Sequence, residues 1–171
     1  MQIKNAKFGL FSLVVFAMIL SVSCNGGLEP PAKEDASKPK NLIFGTIRYI
    51  QGKNNWPPID SMKDLRIVFF TSMPDSAGLF NDVIAGKVVF TDSTLAFNVD
   101  STGFQFKVPT TPITFKYVAV AQNYAGILEW KVVGLYSKDG INPSELFIGK
   151  DSVIRNVDIN VDFKNLPPQP F

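Results

Sequence analysis

The close spacing of turn signals limits the fold of this chain more than any other feature. From residue 41 to 165, clusters of Gly, Pro, Asn, Asp and Ser separate short apolar segments, with a turn about every 8 to 12 residues. Several of these segments alternate apolar and polar residues, as half-buried strands do, and no long segment has a helical period. The pattern predicts an all-β fold, a single antiparallel β-sandwich of about seven to nine strands.

Five longer segments form the predicted framework, and Gly45 in the first of them predicts a bulge or a close backbone approach. The turn at Asp100 predicts a hairpin between residues 95–99 and 104–108. A helical turn is expected at residues 79–84. The five longer strands are predicted at residues 42–50, 65–71, 113–122, 128–136 and 153–163.

Alternation also assigns faces to two of these strands. In the strand at 113–122, one face carries Ile113, Phe115, Tyr117, Ala119 and Ala121. In the last strand the inward residues are predicted to be Val157, Ile159, Val161 and Phe163.

The N-terminus has the layout of a secretory signal peptide. Lys4 and Lys7 precede a mostly apolar run at residues 8–20, and small residues follow at 21–23. The apolar run is shorter than the roughly 20 residues that a membrane-spanning helix needs. We therefore expect residues 1–23 to be a cleaved signal peptide.

Cys24, the only cysteine, directly follows these small residues. This order resembles the lipobox of bacterial lipoproteins, in which the cysteine is acylated by fatty acids such as palmitate. The resemblance implies lipidation of Cys24 and a protein anchored to the membrane of the bacterial cell envelope. Asn25 after the cysteine favours the outer membrane by the same analogy. An ordinary secretory signal cut after Ser23 is the alternative.

A flexible tether and a short tail flank the predicted sandwich. Residues 24–40 are rich in Gly, Pro, Ser and charge, and cannot bury enough apolar surface to offset their ordering entropy. Residues 41–165 form the predicted β-sandwich domain. Residues 166–171 are rich in proline, which donates no backbone hydrogen bond, so the sheet is not expected to continue there.

Composition excludes several kinds of chemistry. The chain has no histidine, so Ser-His and Cys-His catalysis and the usual zinc sites are excluded. Loss of residues 1–23 would remove Lys4 and Lys7 from 17 basic residues and none of the 15 acidic ones, which leaves the counts equal. A balanced surface does not suit nucleic acid. We predict no enzyme activity, no metal, no cofactor and no nucleic-acid partner.

The body of the chain resembles a known family in several short segments. These are Phe44-Gly45-Thr46-Ile47, Trp56-Pro57, residues 117–121, residues 130–136 and residues 157–163. They are similar to the prealbumin-like, or carboxypeptidase-regulatory-like, sandwiches in lipoproteins of Bacteroidetes and Chlorobi relatives. The resemblance covers about residues 41–165 and implies a non-catalytic accessory or binding fold. It carries over no site residues.

Aromatic residues give the one candidate ligand site. Flat apolar rings match sugar faces, and Trp56 lies in a proline-bounded loop where it could contact a ligand. Packing as a loop anchor is the alternative for Trp56. The wider set that could join it in a platform is Tyr49, Tyr124, Trp130 and Tyr136, although core packing is expected for Trp130.

Oxygen-bearing side chains suggest weaker candidates. Asp60 and Asp64 could act as an acid-base pair on a sugar. Asp139, Asn142 and Glu145 have the oxygen ligands that calcium prefers. The alternating residues of the last strand (Asp158, Asn160 and Asp162) resemble the start of a calcium loop, but Phe163 stands where that loop needs Gly. For all three groups, ordinary solvated surface is the favoured interpretation.

These observations predict a membrane-anchored envelope lipoprotein that acts as a non-catalytic binding or accessory module for protein or glycan. The loops at residues 51–63 and 73–86 are expected to form its variable surface. A structural subunit of an envelope assembly is the alternative, and a carboxylate-based glycan hydrolase is a third hypothesis.

Overall fold

The computed structural model describes residues 40–75, 79–126 and 129–170, without the side chains of 79 and 80. The predicted signal peptide, Cys24 and all of the predicted tether except Lys40 lie outside these residues. In this part of the chain there are ten strands and one short helix, α1 (Leu79–Ile84), at the position of the predicted helical turn. No helix among the described residues is long and apolar enough to cross a membrane.

The strands are short, as the turn spacing predicted, and the all-β sandwich is confirmed. Their bounds are β1 (Leu42–Tyr49), β2 (Asp64–Phe70), β3 (Val88–Phe90), β4 (Ser101–Lys107), β5 (Ile113–Phe115), β6 (Tyr117–Asn123), β7 (Trp130–Leu135), β8 (Leu146–Ile148), β9 (Val153–Ile154) and β10 (Ile159–Val161).

One sheet of eight strands dominates the fold. Its order is β3-β2-β6-β7-β10-β1-β4, and β9 also pairs with β1. Strands β5 and β8 form a separate two-stranded sheet. Most pairs are antiparallel, but β1 runs parallel to both β9 and β10.

The large sheet curls over on itself to make two layers. Five strand spacings separate β2 from β4 along the sheet order, which is about 24 Å if the sheet were flat. Yet the rings of Phe69 in β2 and Phe106 in β4 stack with centroids 4.4 Å apart. Phe115 from the small sheet packs against Phe69 as well, at 5.1 Å. The inner faces of both layers therefore share one apolar core.

The predicted strand at 113–122 is divided at Lys116, and this reverses its expected faces. The Lys116 N–H donates to the carbonyl of Phe70 between β5 and β6. Phe115 lies in the main core, but beyond the break the core residues are Val118 and Val120. Tyr117 and Ala119 belong instead to a second buried cluster, with Phe70, Val88 and Val132. The prediction that Tyr117, Ala119 and Ala121 share a face with Phe115 is therefore wrong.

The predicted hairpin at Asp100 is also wrong. Residues 95–99 form no strand, and β4 pairs with β1 instead. Leu95 is buried and its N–H donates to the carbonyl of Leu65. The alternation at 95–99 reflects a segment that crosses from one layer to the other and buries apolar side chains on the way.

The last predicted strand, 153–163, is interrupted by a bulge. Ile43 pairs with Ile154 and Ile47 with Ile159, so five steps on one strand match four on β1. Asn156, inside the bulge, has φ of 61°. The predicted inward residues Val157, Ile159 and Val161 are fully buried, and Phe163 packs against the core.

Gly45 is the close-approach point that the sequence predicted. A Cβ at residue 45 would lie 1.9 Å from the carbonyl oxygen of Val157, in the backbone of the bulge. Gly103, on the neighbouring strand β4, has room, because its nearest contact would be 3.9 Å away.

We expect Gly45→Ala to destabilise the fold by more than about 3 kcal/mol, because the bulge backbone must move to admit the methyl group. Gly103→Ala is the matched control. It should be neutral or stabilising by up to about 1 kcal/mol, since glycine is unfavourable within a strand. Chemical denaturation of both variants measures the difference, and equal stabilities would contradict the role given to Gly45.

Candidate functional site

Trp56 packs in an aromatic cluster at the end of β1. Its ring centroid lies 4.4 Å from that of Tyr49 and 4.9 Å from that of Phe163. The indole N–H donates a 2.9 Å hydrogen bond to the carbonyl of Val99. Trp56 therefore anchors the 51–63 loop to the crossing segment. Trp56 is only partly buried, and its role in ligand binding stays a prediction.

Two buried polar atoms lie in this same region without a hydrogen-bond partner among the described residues. They are the Tyr49 hydroxyl and the Oδ1 of Asn55. Burial raises the pKa of Tyr49, which keeps the hydroxyl neutral. The Asn55 amide nitrogen donates to Asp162 at 2.8 Å, which fixes the side chain. The cluster thus has one donor and one acceptor that could bond a polar group.

The two candidate catalytic carboxylates have different environments. Asp60 is exposed in a short 3-10 turn (Ile59–Ser61). Asp64 is half-buried at the start of β2 and accepts hydrogen bonds from Thr94, Arg66 and the Leu65 N–H. Burial opposes its ionisation, but these three hydrogen bonds outweigh burial and lower the pKa of Asp64. The Asp64 carboxyl is therefore ionised at neutral pH and suited to hold Arg66 rather than to donate a proton.

Asp139 organises the loop between β7 and β8. It accepts hydrogen bonds from the Asn142 side chain, from the N–H groups of Ile141 and Asn142, and from Ser137. These bonds hold the pKa of Asp139 well below its usual range. Glu145, the other candidate calcium ligand here, forms an ion pair with Lys116 instead, at 2.5 Å.

The polar residues around β10 make structural contacts. Asp158 accepts hydrogen bonds from the Thr46 N–H and from Arg48, at 3.1 and 2.8 Å. Asp162 bonds Asn55 and the Lys164 N–H. Within the described ranges, no three acidic, Cys or His side chains are grouped to hold a metal ion.

The structure does not bring the predicted surface elements together. The 51–63 loop precedes β2 and the 73–86 loop follows it, so they lie at opposite ends of that strand. Tyr49 and Trp56 meet, but Tyr136 is buried in the core. Tyr124 and Trp130 lie at the β6–β7 turn, where Lys131 approaches the Tyr124 ring at 5.5 Å. The five aromatics therefore do not form one platform.

A groove that sequence reasoning missed lies between β3 and β4. It has a volume of about 1110 Å³ and is lined by both strands and by the segment that connects them. β3 and β4 are the two ends of the large sheet, so the curl of the sheet places both free edges along one opening. Leu95 and Phe106 are core residues that reach this opening, and Phe90 at its side is 47% exposed.

No sequence pattern could have located this groove. It depends on which strands end the sheet, and strand order is set by long-range pairing. The only sequence signal is the polar alternation of Ser101, Gln105 and Lys107, which marks an exposed face but not an edge.

Comparison with protein families, with curated proteins and with solved structures finds no significant match to this chain.

Asp64 and Asp60 give a matched pair for a pH experiment. The pKa of Asp64 is lower in the folded chain, so its contribution to stability is present above the unfolded value near pH 4 and is lost as the pH falls further. Asp64→Asn should cost about 1 to 2 kcal/mol at pH 7 and should flatten the loss of stability in acid.

Asp60→Asn is the control, because Asp60 has no hydrogen bond or ion pair among the described residues. Its stability should stay within about 0.5 kcal/mol of the parent at every pH. Urea unfolding at a series of pH values measures both variants. If Asp64→Asn and Asp60→Asn had the same acid profile, the hydrogen-bond account of Asp64 would fail.

Proposed function

We propose that this chain is a lipid-anchored, non-catalytic binding module of the bacterial cell envelope, with a prealbumin-like sandwich as its body. The N-terminal order of basic, apolar and small residues before Cys24 supports the anchor. Acylation at Cys24 would hold the protein at the membrane, since each buried methylene contributes roughly 0.8 kcal/mol.

The observation that carries the binding role is the groove between β3 and β4. Isolated carboxylates and an absence of histidine supply little for catalysis, whereas two sheet edges and exposed apolar side chains supply a surface for a partner. Edge strands normally have features that prevent pairing with other chains, such as charged side chains, prolines or bulges. Two edge strands with unpaired backbone groups can therefore bind another chain. The partner is an envelope protein or, through the Trp56 end, a glycan.

A tether raises the effective concentration of the module near membrane-bound partners. Residues 24–40 would allow the domain to sample a range of about 20 to 25 Å from its anchor. A weak groove interaction would then be sufficient for association at the envelope.

Lipidation is tested on the native protein purified from membranes. Mass spectrometry should show a chain that begins at Cys24 and carries acyl groups, and Cys24→Ser should release the protein into the soluble fraction. Ser23→Ala keeps a small residue before the cysteine and should stay membrane-bound. An unmodified thiol or a retained leader on the native protein would contradict the anchor.

Binding is tested with a photo-reactive amino acid placed at one position at a time in cells. We expect a covalent adduct with an envelope protein or glycan from Ser93, which lines the groove, or from Lys53, beside Trp56. Ile141, which is 75% exposed and far along the chain in the β7–β8 loop, is the control and should give none. If neither Ser93 nor Lys53 yields an adduct, the binding role is wrong.

A further inference from the structure

We infer that the groove between β3 and β4 binds an extended segment of a partner protein as an added β-strand. This inference rests on the proposed binding role and names the class of its partner. It follows from the direction of the backbone groups on the two edge strands, from the apolar floor between them and from the charges at the two ends.

On β4, every second residue turns its backbone groups towards the groove. Tyr49 N–H donates to Asp100 O, and Val108 N–H donates to Asn41 O, so the even-numbered residues of β4 bond β1. In an antiparallel pair the intervening residues point their N–H and C=O groups the other way. On β4 these are residues 101, 103, 105 and 107.

Alternate residues of β3 also point their backbone groups towards the groove. Thr71 N–H donates to Lys87 O, and Thr91 N–H donates to Ile67 O, so residues 87, 89 and 91 face β2. The backbone groups of Val88 and Phe90 therefore point away from the sheet. Among the described residues, these outward groups of β3 and β4 have no partner except the Gly103 carbonyl, which the Thr102 hydroxyl approaches at 3.5 Å.

Another free stretch of edge in this molecule is capped. β10 covers β7 only at Gly134 and Leu135, and Val132 lies beyond its end. There the Gln169 side chain accepts from the Val132 N–H at 2.8 Å and donates to the Val132 carbonyl at 2.9 Å. The side-chain amide thus replaces a strand at β7, and the described residues supply no such cap to β3 or β4.

An opening of ordinary sandwich width would suit one strand. Packed layers of a sandwich lie about 10 Å apart, which is close to two strand spacings of about 4.8 Å. A strand in the middle could bond both edges at once. β3 and β4 run in opposite directions along the sheet, so the strand would be antiparallel to one edge and parallel to the other, as β10 already is between β7 and β1.

The residues at the bottom and at the two ends of the groove indicate which side chains the bound partner segment should have. Val89, Leu95 and Phe104 pack on the core beneath the opening, so the segment needs apolar side chains at alternate positions. Residues 91–100 join the end of β3 to the start of β4, so Asp92 lies at the closed end and Lys107 at the other. A segment antiparallel to β4 would therefore have an acidic residue first and a basic residue last.

The test uses the full-length chain in detergent and a synthetic peptide of about nine residues. Valine and phenylalanine alternate with threonine in the peptide, with glutamate first and lysine last. Addition of the peptide should slow hydrogen exchange at the amides of Gly103, Gln105, Lys107, Val88 and Phe90. The amides of Phe104 and Phe106 should be protected with or without peptide, because they already bond β1. A peptide with reversed end charges should bind a few fold more weakly.

Gln105→Pro removes one N–H that faces the groove and leaves the bonds to β1 in place, as proline is tolerated at an outward edge position. It should weaken peptide binding about tenfold. Gln105→Ala keeps the N–H and should bind like the parent. A peptide N-methylated at the positions that face β4 should also fail to bind the parent protein, which tests the same bonds if Gln105→Pro does not fold.

In the exchange and peptide-binding experiments, three results would overturn the inference. They are unchanged exchange at the outward amides, equal affinity of folded Gln105→Pro and Gln105→Ala, and protection of the β4 edge by self-association of the peptide-free chain. An adduct from Lys53 alone in the photo-crosslinking experiment would also overturn it, yet would leave the proposed binding role standing. If neither Ser93 nor Lys53 gave an adduct, the proposed binding role and this inference would both be wrong.

Discussion

The apolar core and the groove of this domain both depend on contact between the inner faces of a single curled sheet. Phe69 near one end of the sheet stacks on Phe106 at the other, and Phe115 packs beside them. A flat sheet would leave these rings exposed to water, and burying a phenylalanine side chain is worth about 1.5 to 3 kcal/mol. Folding the sheet over the rings makes the core. It also brings the two edge strands to the same side and so creates the groove.

Two backbone segments approach closely where β1 meets the bulge. Gly45 allows the Val157 carbonyl to lie where a side chain would otherwise be. The bulge gives the last strands an extra residue and lets β9 and β10 both follow β1 in parallel. Asp158 then reaches back to the Thr46 N–H, so the irregular stretch is held by a hydrogen bond as well as by packing.

The polar groups of this domain are mostly committed to structure. Asp64 holds Arg66, Asp139 orders its own loop, and Asp162 fixes Asn55. In contrast, the outward backbone groups of β3 and β4 have almost no hydrogen-bond partners among the described residues. The proposed binding role draws on these edge groups.

Sequence alone determined what depends on neighbouring residues: the strand-rich fold, the helical turn at 79–84, the inward face of β10 and the special place of Gly45. It also predicts the anchor at Cys24, which depends on residue order and not on folding. Tertiary structure decided the break at Lys116, the fate of residues 95–99 and the position of the 51–63 and 73–86 loops at opposite ends of β2. These features depend on which strand pairs with which. Alternation shows that a strand has two faces, but it does not show which strands pair at its edges. The groove between β3 and β4 depends on that pairing, so the sequence alone could not predict it.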